Sequence, residues 1–194
     1  MRFDTGGRKW GEGWFGGRTF PLLLQCFASD EMDTSQSTLA FLHTYIGRLR
    51  KLAPTPKELS TQEGHLQHLL LVMGRKSVHP HDFDFVNPDE AEESFGAYRR
   101  ELSTLFKNIA RVHAGLAQEF VRSTLVPTLD PATISNVPWT HLEVALWLLY
   151  TLGEGLPEQK MLEKDGFFHQ LMVRAATPHP LTRPAPMPFA TAHA

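Results

Sequence analysis

The sequence predicts an all-α fold, an α-solenoid of stacked helix pairs, and three observations lead to it. Apolar residues recur at three- and four-residue steps over long stretches. The long helices this implies start near residues 38, 88 and 138, a spacing of roughly fifty. The third of them, Thr140 to Pro157 (THLEVALWLLYTLGEGLP), is apolar on nearly every side, which predicts a helix packed between neighbours. It is too short for a bilayer, which takes about 20 apolar residues, and Glu143 and Glu154 bracket it. Membrane insertion is not expected, and no β-rich segment competes.

Residues 1–19 differ in composition from the rest. Gly6, Gly7, Gly11, Gly13, Gly16 and Gly17 fall there, and each weakens a helix by about 1 kcal/mol relative to alanine. A disordered, atypical terminus is expected; Arg2, Arg8, Lys9 and Arg18 among those glycines are only a weak sign of an RNA-contacting arm. Order is expected from about Phe20, where PLLLQCF reads as the last turns of a helix with Cys26 as a buried, inert thiol. Ser29 to Ser37, SDEMDTSQS, reads as a loop with helix-start chemistry.

Thr38 to Leu52 places Leu39, Leu42, Tyr45, Ile46, Leu49 and Leu52 on one face, with Arg48, Arg50 and Lys51 near the negative end of the helix dipole. Pro54 and Pro56 stop this helix. Ser60-Thr61-Gln62-Glu63 is a capping box for its partner, whose apolar face holds Leu66, Leu69, Leu70 and Met73 and which ends near Gly74. VHPHDFDFV is loop or extended chain. Asn87-Pro88-Asp89-Glu90 then supplies a cap, a first-turn proline and acidic residues for a helix running to about Val112. Its stripe is Phe95, Tyr98, Leu102, Leu105, Phe106 and Ile109. GLAQEFVRSTL is the partner, with Leu116, Phe120, Val121 and Leu125 facing inward, broken by Pro127 and Pro131. Pro138 opens the third pair, Gly153 to Pro157 closes its first helix, and EQKMLEKDGFFHQLMVRAA supplies the second, interrupted near Gly166. From Thr177 the chain holds five prolines and no helical period, a disordered or extended tail.

Helix pairs repeating at roughly 40–47 residues mark HEAT and armadillo solenoids. About three HEAT-like repeats are therefore expected over residues 20–176, between a glycine-rich terminus (1–19) and a proline-rich tail (177–194). An ordinary six-helix bundle shares the pattern and stays open on periodicity alone.

The totals exclude more than they assign. The chain's 194 residues suffice for one domain with a proper core. A net charge of −2 offers no bulk attraction for nucleic acid, so binding to a polyanion would rest on local patches. A single cysteine rules out an intramolecular disulfide, and the start lacks the apolar core of a signal peptide. His65, His68, His79 and His81 match no zinc-ligand spacing, and the acidic run from Asp82 to Glu93 lacks the order of an EF-hand loop. No metal or cofactor is expected. With no phosphate loop, nucleophile elbow or paired catalytic carboxylates, an enzyme is not expected either. What remains is basic groups: Arg48, Arg50 and Lys51; Arg75 and Lys76; Arg99 and Arg100; Lys107 and Arg111; Arg122. Most read as solvated helix faces, although a solenoid can line such groups along one surface.

SDEMDTSQSTLAFLHTYIGRLRKL, FGAYRRELSTLFKNIARV, FVRSTL and EVALWLLYTLGEGLP, in this order, resemble the middle of the exportin-T family, the tRNA exportins of the importin-β (karyopherin) superfamily. The family pattern has an acidic SDEYDDT-like loop, a YR-x-x-L-x-x-L helix and a VE-x-A-L-x-L-L-Y-x-L-x-E-x-L-P helix. Ser29 to Thr34 departs from it in having Met32 for the aromatic and one acidic residue fewer, whereas Tyr98-Arg99 and Val144 to Pro157 follow it. The likeness covers residues 20 to 173. It implies HEAT repeats that wrap tRNA by shape and backbone together with Ran-GTP, nuclear pore proteins as further partners, and shuttling between nucleus and cytoplasm. In such repeats the second helix of each pair lines the concave side, which assigns Arg75, Lys76 and Arg122 to the tRNA backbone. The family protein is several times longer and its Ran-contacting N-terminal repeats have no counterpart here. The two ends match nothing in the family pattern, so a truncated or mis-joined product is expected. The competing class is a helical-repeat scaffold that binds a peptide and has no RNA role.

Overall fold

The computed structural model describes residues 19–52, 56–130, 132–164 and 166–176, which are helical with turns and no strand. The expected disordered ends, 1–19 and 177–194, lie outside them except for Thr19, which opens the first helix. The chain divides into two compact units, one up to Leu156 and one from Pro157.

In the first unit α1 spans Thr19–Phe27, α2 Met32–Ser37, α3 Leu39–Leu52 and α4 Pro56–Lys76. They are followed by α5 (Glu90–Val112), α6 (Ala114–Thr128), a single 3-10 turn (Ile134–Asn136) and α7 (Trp139–Gly155). The leading helices α3, α5 and α7 pack side by side, α5 against both others. The second helices α4 and α6 pack on each other, and α1 packs on α4 in the same way. Two layers of helices thus bury one core between them. It is centred on α5, where Tyr98, Leu102, Leu105, Phe106 and Ile109 recur every three or four residues and are all buried. In the second unit, the residues expected to form one helix broken near Gly166 form α8 (Glu158–Met161) and α9 (Phe167–Ala176).

Several boundaries differ from the sequence reading, each for a local reason. SDEMDTSQS is not all loop: α2 forms inside it, with the Thr34 hydroxyl donating to the Glu31 carboxylate (3.1 Å) at its start. α4 begins at Pro56, so Ser60 to Glu63 lies in helix interior and is no cap. A proline in the first turn loses no hydrogen bond and has its φ preset. The cap of α5 is Asp89, not Asn87: its carboxylate accepts from the Glu92 amide (2.8 Å), and the Glu92 carboxylate accepts from the Asp89 amide (2.9 Å). Pro127 does not break α6 but sits in its last turn, which the Thr128 hydroxyl and the Leu129 amide close on the carbonyls of Thr124 and Leu125. Cys26 is exposed, because Phe20 and Phe27 take the buried face of α1.

Residues from two stretches of the family pattern meet in the core. The Ser35 hydroxyl on α2 donates to the Phe27 carbonyl (2.6 Å) and lies 2.6 Å from the Tyr98 hydroxyl. Its one proton is committed to the carbonyl, so Tyr98 donates to Ser35. The relay ties α1, α2 and α5 together, and burial raises the phenol's pKa. At the other end of α5, Gly155 lets α7 come close: a Cβ there would lie 3.1 Å from the Cα of Lys107.

α7 departs from expectation in one respect. Val144, Ala145, Leu148, Thr151, Leu152 and Gly155 are buried against α5 and α6. Leu146 and Tyr150, however, are 46% and 65% exposed, so the helix is covered along one side and open along the other.

Candidate functional site

Arg75 and Lys76 close the last turn of α4, where cations meet the helix's negative end. Arg75 is exposed. Lys76 is half-buried, and its ammonium donates to the Ser29 carbonyl in the turn before α2. Arg122 is exposed on α6, its Nε 3.8 Å from the Glu119 carboxylate one turn earlier. α4 and α6 cross at Gly74 and Phe120, where a Cβ on the glycine would come within 2.9 Å of the ring. Gly74 precedes Arg75 and Phe120 lies two residues before Arg122, so both arginines flank one crossing of second helices. Lys76 is turned to the α1–α2 junction instead, with its charge on a backbone oxygen.

Arg99 behaves unlike the solvated cation the sequence suggests. It is 8% exposed, and its Nη2 donates to both carboxylate oxygens of Glu143 on α7, at 2.8 and 2.6 Å. Its Nη1 donates to Nε2 of His79, and the guanidinium lies 4.7 Å from the Trp147 ring centre. Because Nε2 accepts, the neutral imidazole carries its proton on Nδ1, which is buried without a partner, as is Nε of Arg99. Burial, then the neighbouring guanidinium, push the His79 pKa below its usual 6.5, and Glu143 opposes them. Around the imidazole stand Phe83, Phe85 and Phe95, with ring centres 4.4, 5.0 and 5.3 Å away. This cluster joins α5, α7 and the 77–89 segment. Both oxygens of the Glu143 carboxylate are engaged by the planar guanidinium, so the arrangement is a joint between helices.

His65 is held separately, stacked on Phe20 at 4.2 Å with Nδ1 3.2 Å from the Gln62 side-chain oxygen. Sequence reasoning missed the Arg99–Glu143 pair because its partners lie 44 residues apart. The available signal was Arg99 adjoining Tyr98 at the edge of the α5 stripe.

The first unit defines the class: an all-α protein of the helical-repeat solenoid type, with an arginine-centred joint between successive leading helices. Residues 17–173 match the family model of Exportin-T. The chain is 35% identical to Exportin-T of Oryza sativa subsp. japonica over 149 residues, 74% of this chain and 14% of the relative. It is 29% identical to Exportin-T of Mus musculus over 137 residues (71% and 14%) and 28% identical to Exportin-T of Homo sapiens over 136 residues (70% and 14%). The chain belongs to the exportin-T family, a family of nuclear export receptors. It spans 14% of the length of the curated relatives it matches. Among the described residues, no helix is long and apolar enough to cross a membrane.

Proposed function

We propose that this chain is a central part of a tRNA export receptor, one that binds tRNA together with Ran-GTP, passes nuclear pore proteins and shuttles between nucleus and cytoplasm. The supporting observation is the family match over residues 17–173, which includes every described residue of the first unit. The role is that of a transport receptor without a catalytic step. Within it, Arg75, Lys76 and Arg122 are proposed to face the tRNA backbone, with Arg75 and Arg122 flanking the α4–α6 crossing. Lys76 contributes there only if it leaves the Ser29 carbonyl.

The test is the salt dependence of tRNA binding to the full-length receptor carrying these repeats. Each phosphate contact contributes about 0.7–0.9 to the slope of log affinity against log salt. Arg75→Glu and Arg122→Glu together are expected to flatten that slope by about 1.5 to 2, and adding Lys76→Glu to flatten it further. A slope unchanged in a variant that retains its helical circular dichroism removes these residues from the interface.

A further inference from the structure

Between the 77–89 segment and the first turns of α5 lies a groove of about 410 Å³. Phe83, Phe85 and Pro88 line it together with Asp84, Glu92 and Glu93. Gly96 and Arg100 complete the lining, and a Cβ at residue 96 would make only an ordinary contact with the Arg100 guanidinium, at 3.8 Å. Phe85 is 60% and the adjoining Val86 84% exposed, so apolar surface continues from the groove to its rim.

The charge here is lopsided. Asp82, Asp84, Asp89, Glu90, Glu92 and Glu93 lie on this segment and helix start, and none joins an ion pair among the described residues. Glu92 accepts from the amides of Asp84 and Asp89, and Asp84 accepts from those of Val86 and Asn87. These neutral donors fix the carboxylates in place and leave their charge. The hydrogen bonds also hold the Asp84 carboxyl below its usual range. The α5 dipole offsets only about half a charge, and Arg100, at the end of the groove, one more.

We propose that this groove docks a segment of a partner polypeptide in which a lysine or arginine adjoins an aliphatic or aromatic residue. The stem of the cation lies along Phe83, Phe85 and Pro88, where cation–π attraction adds to apolar contact. Its head sits among Asp84, Glu92 and Glu93, and the apolar neighbour covers Phe85 and Val86. RNA is disfavoured here, because a phosphate in the groove would face the carboxylates of Asp84, Glu92 and Glu93 against the single cation of Arg100. The surface is separate from the α4–α6 crossing and does not depend on the tRNA reading.

The experiment is an amide chemical-shift titration of the full 194-residue chain with a capped hexapeptide alternating leucine and arginine. A leucine–glutamate hexapeptide and a short single-stranded RNA serve as comparison ligands. Shifts are expected at Val86, Glu93 and Gly96 with the basic peptide alone. Glu93→Lys, an exposed change, should weaken binding about fivefold or more, whereas Glu63→Lys on α4, with the same change in net charge, should leave it unchanged. Phe85→Ser should weaken it with no change in net charge. The proposal is overturned by an absence of shifts, by equal weakening from Glu63→Lys, or by RNA shifting the same amides.

Discussion

Replacing Glu143 by leucine is expected to destabilise the chain by about 3 kcal/mol, well beyond the loss from removing its partner. The asymmetry follows from burial. Arg99 is enclosed by His79, Trp147 and the α5–α7 contact, so without Glu143 a buried guanidinium has no anion. Glu143 is itself one-third exposed, which puts the cost at the lower end of the 3–5 kcal/mol typical of broken buried pairs. Arg99→Met frees a carboxylate that water can reach, and about 1–2 kcal/mol should be lost, including the stacking on Trp147. In Arg99→Met/Glu143→Leu no charge is stranded, and stability should return to within about 1 kcal/mol of the parent. Urea denaturation of the four proteins gives the comparison. A double variant no better than Glu143→Leu would show that the pair's geometry, rather than the stranded charge, holds the joint.

The same joint gives a pH signature. The His79 pKa is depressed in the folded protein, so the unfolded chain binds more protons between that lowered pKa and 6.5. His65 is depressed likewise, by burial and then by His68. Stability contributed by the neutral imidazoles is present above 6.5 and declines as the pH falls below it toward the folded pKa values. His79→Phe should remove part of that decline, and a pH profile with the same slope in parent and variant would show that His79 is not its source.

Much of the architecture was legible because it depends on neighbours in sequence. The α5 stripe, the arginines and lysines ending α3 and α4, and the leading helices at Leu39, Glu90 and Trp139 all follow from three- and four-residue spacing and terminal chemistry. Errors arose where two local signals competed. Pro56, read as a stop for the helix before it, opens α4 ahead of the Ser60 box, because a first-turn proline loses no hydrogen bond. The site was less legible, since its contacts span long separations: 44 residues from Arg99 to Glu143, 47 from Lys76 to Ser29 and 63 from Ser35 to Tyr98. A basic residue on a helix face looks alike whether its partner is water or a carboxylate on another helix. Family likeness located Ser29, Ser35, Tyr98, Arg99 and Glu143 in a shared pattern without revealing which of them touch.

A contrast between two leucines of α7 tests how that helix is covered. Leu152 is fully buried on the side of α7 that packs on α5 and α6, so Leu152→Ala is expected to cost about 2–5 kcal/mol through lost burial and the cavity left behind. Leu146, 46% exposed, is expected to tolerate glutamine within about 0.5 kcal/mol. Tyr150, a turn further on, directs its hydroxyl to the Glu154 carboxylate (3.0 Å), and that carboxylate raises the phenol's pKa, as expected for a ring lying along the surface. All-round apolarity cannot separate these positions, because an apolar side chain reads the same whether its own chain or another surface covers it. If Leu146→Gln and Tyr150→Gln unfold at the same urea concentration as the parent while Leu152→Ala shifts to a lower one, α7 is held along one side within this chain. Comparable losses from all three would mean that the outer face is also covered. An unchanged midpoint accompanied by less self-association in the Leu146→Gln protein would mark the outer face as an apolar contact surface between molecules.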